Sequence, residues 1–188
     1  MPSTFRIPQA DLSGVFGRAL AAYAGRLYGE VPDSAYVMLH HRPLTRALLG
    51  FERRVAKLSA CDPHLKTYAV MASAATIGCS WCLDFGYFQA HAEGLDEEKV
   101  RQVPGWRDST VFTELERDVM AYAEAMTVTP PEVTDEQVAS LHDRLGTEAM
   151  VELTQLIAVE NMRSRANSAM GLTSQGFADS CDLAPLVA

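Results

Sequence analysis

Two thiols three residues apart, Cys79-Ser80-Trp81-Cys82, are the side chains of this sequence best placed to do chemistry. Cysteines at that spacing open and close one disulfide in place, so the pair stores two electrons without a large backbone movement. An ordinary thiol, with a pKa of about 8.5, is only a few per cent thiolate at neutral pH. The first turn of a helix raises that share, because its unpaired N–H groups and the positive end of its dipole both favour the anion. Gly78 breaks the helix before the pair, which puts Cys79 at a helix start and Cys82 one turn in. On that placement Cys79 is expected to be the more exposed sulfur, attacking a disulfide, sulfenic acid or peroxide, with Cys82 resolving the product. The reverse order stays open. Zinc would need four ligands. The sequence has no second cysteine pair, His91 lies nine residues on and His40 and His41 are distant, so no metal and no cofactor is expected.

Proton carriers are sought next. Asp84 follows Cys82 by two residues and Cys79 by five, spacings that aim it away from Cys82 on a helix and poorly at Cys79. Glu160 lies in line with Leu153 and Leu156 on a stripe that faces inward, where a carboxylate must be paired or functional. Arg163, three residues on, is its local partner. Glu160, Asn161, Arg163, Arg165 and Asn167 form a dense polar set that lines either a subunit contact or a polar cleft. Trp81, between the thiols, either covers the sulfurs or docks a partner.

The elements that must position these residues read as helices throughout. Asp11 precedes a stripe of Leu12, Phe16, Ala19, Leu20 and Tyr23. Pro43 suits a first helical turn and leads into Leu44, Leu48, Phe51, Val55 and Leu58. Asp62-Pro63 opens the next helix, whose alanines at 69, 72, 74 and 75 permit close helix contacts. Gly94 closes the cysteine helix, and Gly86 in its middle marks exposed backbone or a close neighbour. Asp96 starts a short helix, and residues 106–112 read as a loop. Thr113 with Glu116 and Thr134 with Gln137 are capping boxes. A long last helix is expected from about Thr147 to Met170, with Val151, Thr154, Ile157 and Ala158 along its apolar side. Strand signals are nearly absent. The expectation is an all-α single-domain helical bundle over 1–188, with a core at 43–94 carrying the cysteine helix, an extension at 106–171 and a polar tail at 172–188 that is mobile or docked on a partner.

Composition narrows the function classes. The 188 residues are 48% apolar and carry a formal net charge of -8. The one dense basic cluster, Arg53-Arg54 with Lys57, is too small for a nucleic-acid groove. The weakly polar stretch 68–82 is too short and mixed to span a bilayer, and the first residues do not read as a secretory signal. Four cysteines without a scaffold pattern fit a cytoplasmic protein.

Residues 74–86 (AATIGCSWCLDFG) carry the small-residue, glycine, Cys-x-x-Cys, helix pattern of the alkylhydroperoxidase D-like, or carboxymuconolactone decarboxylase, superfamily, which this chain resembles. The resemblance implies a helical homo-oligomer (dimer, trimer or hexamer) that reduces peroxides or partner disulfides through its paired cysteines, without haem or metal, alongside a peroxiredoxin or a dithiol reductant. By the same analogy Cys82 is the attacking thiol, against the dipole argument. Three departures stand out. The relay histidine four residues after the second cysteine is Gly86 here, the one just before that cysteine is Trp81, and the glutamate three turns before the first cysteine is Thr67. Asp84, Glu160 or water must replace that relay. The alternatives are a decarboxylase-like enzyme acting on a small organic acid, with Arg163 or Arg165 as anion binder, and a non-catalytic helical oligomer.

Overall fold

The computed structural model describes residues 3–181 and 183–187, so the outermost residues of the expected domain and Asp182 in its tail lie outside it. Among the described residues there are helices and no strands. In chain order they are α1 (Val15–Tyr28), α2 (Asp33–Met38), α3 (Arg42–Val55), α4 (Pro63–Ile77), α5 (Ser80–Ala92), α6 (Glu97–Val100), α7 (Glu114–Thr127), α8 (Asp135–Leu145) and α9 (Thr147–Ala169), with single 3₁₀ turns at Leu39–His41, Val103–Gly105 and Asp179–Cys181.

Local chemistry sets these boundaries. Asp62 caps α4 by accepting the His64 and Leu65 amides at 2.9 and 3.3 Å, and Pro63 supplies a first-turn residue that needs no N–H partner. Both capping boxes form as expected. Residues 106–112 form the expected loop, though Trp106 and Phe112 at its ends are buried. Asp11 does not cap α1. It accepts instead from the amide and hydroxyl of Ser13, and the helix begins at Val15.

The centre of the molecule is α4. Leu65, Tyr68, Ala69, Met71, Ala72, Ser73 and Ala74 are buried around most of its circumference, against α7, α9 and α5. Its alanines bring neighbouring backbones close, and Tyr68 and Met71 fill the gaps. One buried cluster joins α4 and α5 to Val119, Met120 and Ala123 of α7, Leu141 of α8, and Leu153 and Ile157 of α9. The expected core and extension therefore share one interior.

On α9 the inward stripe of Leu153, Leu156 and Glu160 is buried as expected, together with Ile157, Met150 and Ser164, whereas Val151 and Ala158, expected on the apolar side, are exposed. The stripe expected from Leu44 to Leu58 is only half inside: Leu48 and Val55 are half-buried, whereas Leu44 and Phe51 of α3 and Leu58 just past its end are 38–50% exposed. The tail after Gly171 corrects the expectation of a polar, mobile or partner-docked segment. Leu172, Phe177 and Leu183 are buried on the chain itself. Full burial of such side chains stabilises by roughly 1.5–3 kcal/mol each, which offsets part of the cost of ordering the segment.

Candidate functional site

The site is built at the joint between α4 and α5. Gly78 ends α4 with φ +78, a left-handed conformation that glycine adopts without a Cβ penalty. That turn folds the chain back so that Cys79 becomes the N-cap of α5. The Cys79 Sγ accepts the backbone N–H of Cys82 at 3.3 Å, and the two sulfurs are joined as a disulfide with Cα atoms 5.3 Å apart. The dipole and N–H donors expected at Cys79 are thus present. The expected exposure is reversed: Cys79 is 1% exposed and Cys82 is 9%. The physical reason is the Gly78 turn, which directs the N-cap side chain into a cluster with Ala74, Trp81, Leu172 and Phe177.

Around the disulfide stands a wall of rings. Trp81 stacks on Phe85 at 5.0 Å, and Phe177 meets Trp81, Phe85 and Phe88 at 5.2–6.3 Å. Tyr28 of α1 meets Phe85 edge-on at 5.1 Å. Trp81 is a buried residue of this wall, with its indole N–H turned to Gln175 at 3.4 Å.

Asp84 is buried, and both its oxygens are occupied by the tail. Oδ2 accepts the Gln175, Gly176 and Phe177 amides and the Ser174 hydroxyl at 2.7–3.1 Å, and Oδ1 accepts the Ala178 amide at 2.9 Å. This is a backbone nest closed around a carboxylate. It makes Asp84 the anchor of residues 174–178, and both oxygens of this candidate proton carrier are taken up by that segment.

Glu160 is buried on the face of α9 that packs on α4. Ser164 Oγ donates to its Oε1 at 2.6 Å, and Arg163 reaches its Oε2 at 3.4 Å. Burial pushes the Glu160 carboxyl above its ordinary value of 4.5. The Ser164 and Arg163 contacts pull it back only in part, and Glu52 adds to the rise. Arg163 gives both its Nε, at 2.9 Å, and its second terminal nitrogen to Glu52, tying α9 to α3. Asn161 and Arg165 bond to Thr127 at the end of α7, so much of the expected polar set fastens helices together. Asn167 differs. Its Nδ2 lies 3.5 Å from Cys82 Sγ. The sequence signal for it was a polar residue seven positions, two turns, beyond Glu160 on the inward stripe.

The remaining candidates stand elsewhere. His91 closes α5 and lies 3.9 Å from Glu97. Among the described residues no three His, Cys, Asp or Glu side chains gather as a metal site. At Gly86 a Cβ would meet Met71 Cγ at 3.4 Å, an ordinary contact, so the position of the family's histidine lies against α4. A cleft of about 260 Å³ opens between α5 and the tail, lined by Ser80, Leu83, Asp84, Tyr87 and Leu186 among others. At about 100° per residue its α5 face lies on the opposite side of the helix from Cys82, so this cleft does not open onto that sulfur.

The geometry agrees with known proteins. The model of the "Carboxymuconolactone decarboxylase family" matches residues 42–125. The uncharacterized protein YnjA of Escherichia coli K12 is 32% identical over 152 residues, covering 81% of this chain and 79% of that protein. A structure of the debrominase Bmp8 with 2,3,4-tribromopyrrole superposes with a TM-score of 0.81 at 19% identity, over 95% of this chain and 96% of the other. A peroxidase-related protein of Ralstonia eutropha JMP134, described as an alkylhydroperoxidase AhpD core, does so with a TM-score of 0.79 at 16% identity, over 92% and 94%. The helical fold around α4 and α5 is the alkylhydroperoxidase D-like fold, and the chain belongs to the carboxymuconolactone decarboxylase family.

Proposed function

We propose that this protein is a thiol–disulfide oxidoreductase that reduces hydroperoxides, cycling Cys79 and Cys82 between two thiols and one disulfide. The observation that carries the reading is the disulfide closed within the first turn of α5. In the reduced state one thiolate attacks the hydroperoxide, breaking its O–O bond and releasing the alcohol once the leaving oxygen is protonated. The resulting sulfenic acid is attacked by the second thiolate, and the oxygen leaves as water. A dithiol, small or protein-borne, such as a peroxiredoxin partner, returns two electrons and two protons. The net change is one hydroperoxide and one dithiol converted to one alcohol, one water and one disulfide. Such a reductant fits work in the cytoplasm, and no described helix is long and apolar enough to cross a membrane.

Glu160 is the acid of this reading. Its raised pKa keeps a proton available nearer neutrality than an ordinary carboxyl does, and Ser164 extends from it toward the end of α9 that meets Cys82. The protein works as a homo-oligomer, with the exposed Leu44 and Phe51 of α3 and Leu58 just past its end against a second copy. The ring wall beside Cys82 favours a second substrate class, an aryl bromide. There the dithiol would replace bromine by hydrogen and leave bromide and a disulfide.

The test is turnover of an alkyl hydroperoxide with dithiothreitol by the wild type, Cys79→Ser and Cys82→Ser. Each substitution is expected to abolish dithiol-dependent turnover. Full turnover in either variant overturns the reading. Turnover of a small organic acid with both thiols alkylated supports the decarboxylase alternative, and a reduced pair that never exchanges supports a non-catalytic oligomer.

A further inference from the structure

The two sulfurs are held by different donors. Cys79 Sγ faces a backbone N–H, whereas Cys82 Sγ, the more exposed sulfur, faces a side chain from another helix, Asn167 Nδ2 at 3.5 Å. A thiolate only accepts hydrogen bonds, so on reduction the amide presents its NH₂ to the anion. The backbone of Asn167 is well fixed for that task. Its main-chain carbonyl accepts the Met170 and Leu172 amides at 3.1 Å as α9 ends, and the N-terminal segment clamps the next residues, with the Arg6 amide on the Met170 carbonyl and the Thr4 amide on the Gly171 carbonyl. Other charge at this end of the molecule is spoken for or distant. Asp84 on α5 is enclosed by the tail, the Arg6 guanidinium bonds the Ala169 carbonyl, and Glu160 lies two turns back along α9. From α4 and the tail the neighbours in the disulfide's cluster are Ala74, Leu172 and Phe177, which carry no charge.

We propose that Asn167 is a catalytic residue of the dithiol site, donating its side-chain N–H to Cys82 Sγ and stabilising the thiolate of the sulfur that the family resemblance makes the attacking one. The inference rests on the dithiol reading above. In the attack the Cys82 thiolate gives an electron pair to the outer peroxide oxygen, an S–O bond forms, the O–O bond breaks and the alkoxide takes a proton. Cys79 then displaces the oxygen as water and forms the disulfide. Throughout, the amide stabilises the charged sulfur and leaves its backbone in place.

The experiment follows alkylation of Cys82 by iodoacetamide, resolved by mass spectrometry against pH, in the full-length Cys79→Ser chain. Asn167→Ala is expected to raise the apparent pKa of Cys82 by about one unit, which makes its alkylation roughly tenfold slower at pH 6–7. Near-isosteric Asn167→Leu should do the same with its packing kept, and Asn167→Asp should raise the value further. A Cys82 titration that neither Asn167→Ala nor Asn167→Leu moves overturns the proposal. So does fully reduced wild-type protein that alkylates first at Cys79. These readouts need no peroxide, so a wild type inert to hydroperoxides would count against the function proposed above and leave this assignment to be decided by the titration.

Discussion

Glu160 and Glu152 lie on the same helix, both buried, and are pushed in opposite directions. At Glu152 burial acts upward but is outweighed by Lys66 at 2.9 Å and the Ala60 amide at 2.8 Å, so its carboxyl falls below its ordinary value of 4.5. The stability it contributes is present above about pH 4.5 and is lost as pH falls through the lower folded value. At Glu160 burial wins. The folded state holds that proton more tightly than the unfolded chain, so stability declines as pH rises above 4.5 toward the folded value. Glu160→Gln should therefore raise the melting temperature relative to wild type at pH 7 and remove that decline, a difference read by thermal unfolding across pH 4–8. If Glu160 supplies the proton to the leaving oxygen, the same variant loses about 10²-fold in kcat and the alkaline limb of its pH profile. A buried, oddly polar position on an apolar stripe was visible in the sequence. The sign of its shift was not, because the competing Arg163 is drawn to Glu52, 111 residues away.

At the scale of elements, the cysteine helix was legible almost to its ends because its punctuation is local. Gly78 and Cys79 sit at one end, and Gly94 lies just past the other. The capping boxes of α7 and α8 were legible for the same reason. What stayed hidden is what a helix face meets. The tail reads as polar from Ser174 to Gln175, yet Phe177 closes the ring wall and Asp84 gathers four successive amides around itself. Nothing in the spacing of Asp84 announces donors some ninety positions downstream. Asp84→Ala leaves those amides without their acceptor and is expected to cost about 3–5 kcal/mol. Amide hydrogen exchange should then show residues 175–178 losing protection while α7 and α8 keep theirs.

For the whole molecule, helical periodicity and its caps carried the helical class, the paired cysteines carried the site, and long-range packing decided the rest. The central position of α4 follows from its alanines. By contrast, the stripe on α3, in a sequence written like an interior helix, leaves Leu44 and Phe51 exposed among the described residues while Leu48 and Val55 are half-buried. Its flank is basic, with Arg42, Arg46, Arg53 and Arg54 on a chain of net charge -8, so a second copy offers it both apolar and acidic surface. Phe51→Glu places a charge in that contact and is expected to shift the protein to monomer in analytical ultracentrifugation at micromolar concentration, with its circular dichroism unchanged. A wild type that sediments as a monomer would overturn the proposed assembly.

Met71 leaning over Gly86 shows how much room this joint leaves. A Cβ at position 86 would meet the thioether side chain at ordinary contact distances, 3.4 Å from Cγ and 4.0 Å from Sδ. Glycine there is thus not imposed by crowding from α4, and the backbone freedom it carries costs the helix roughly 0.5–1 kcal/mol relative to alanine.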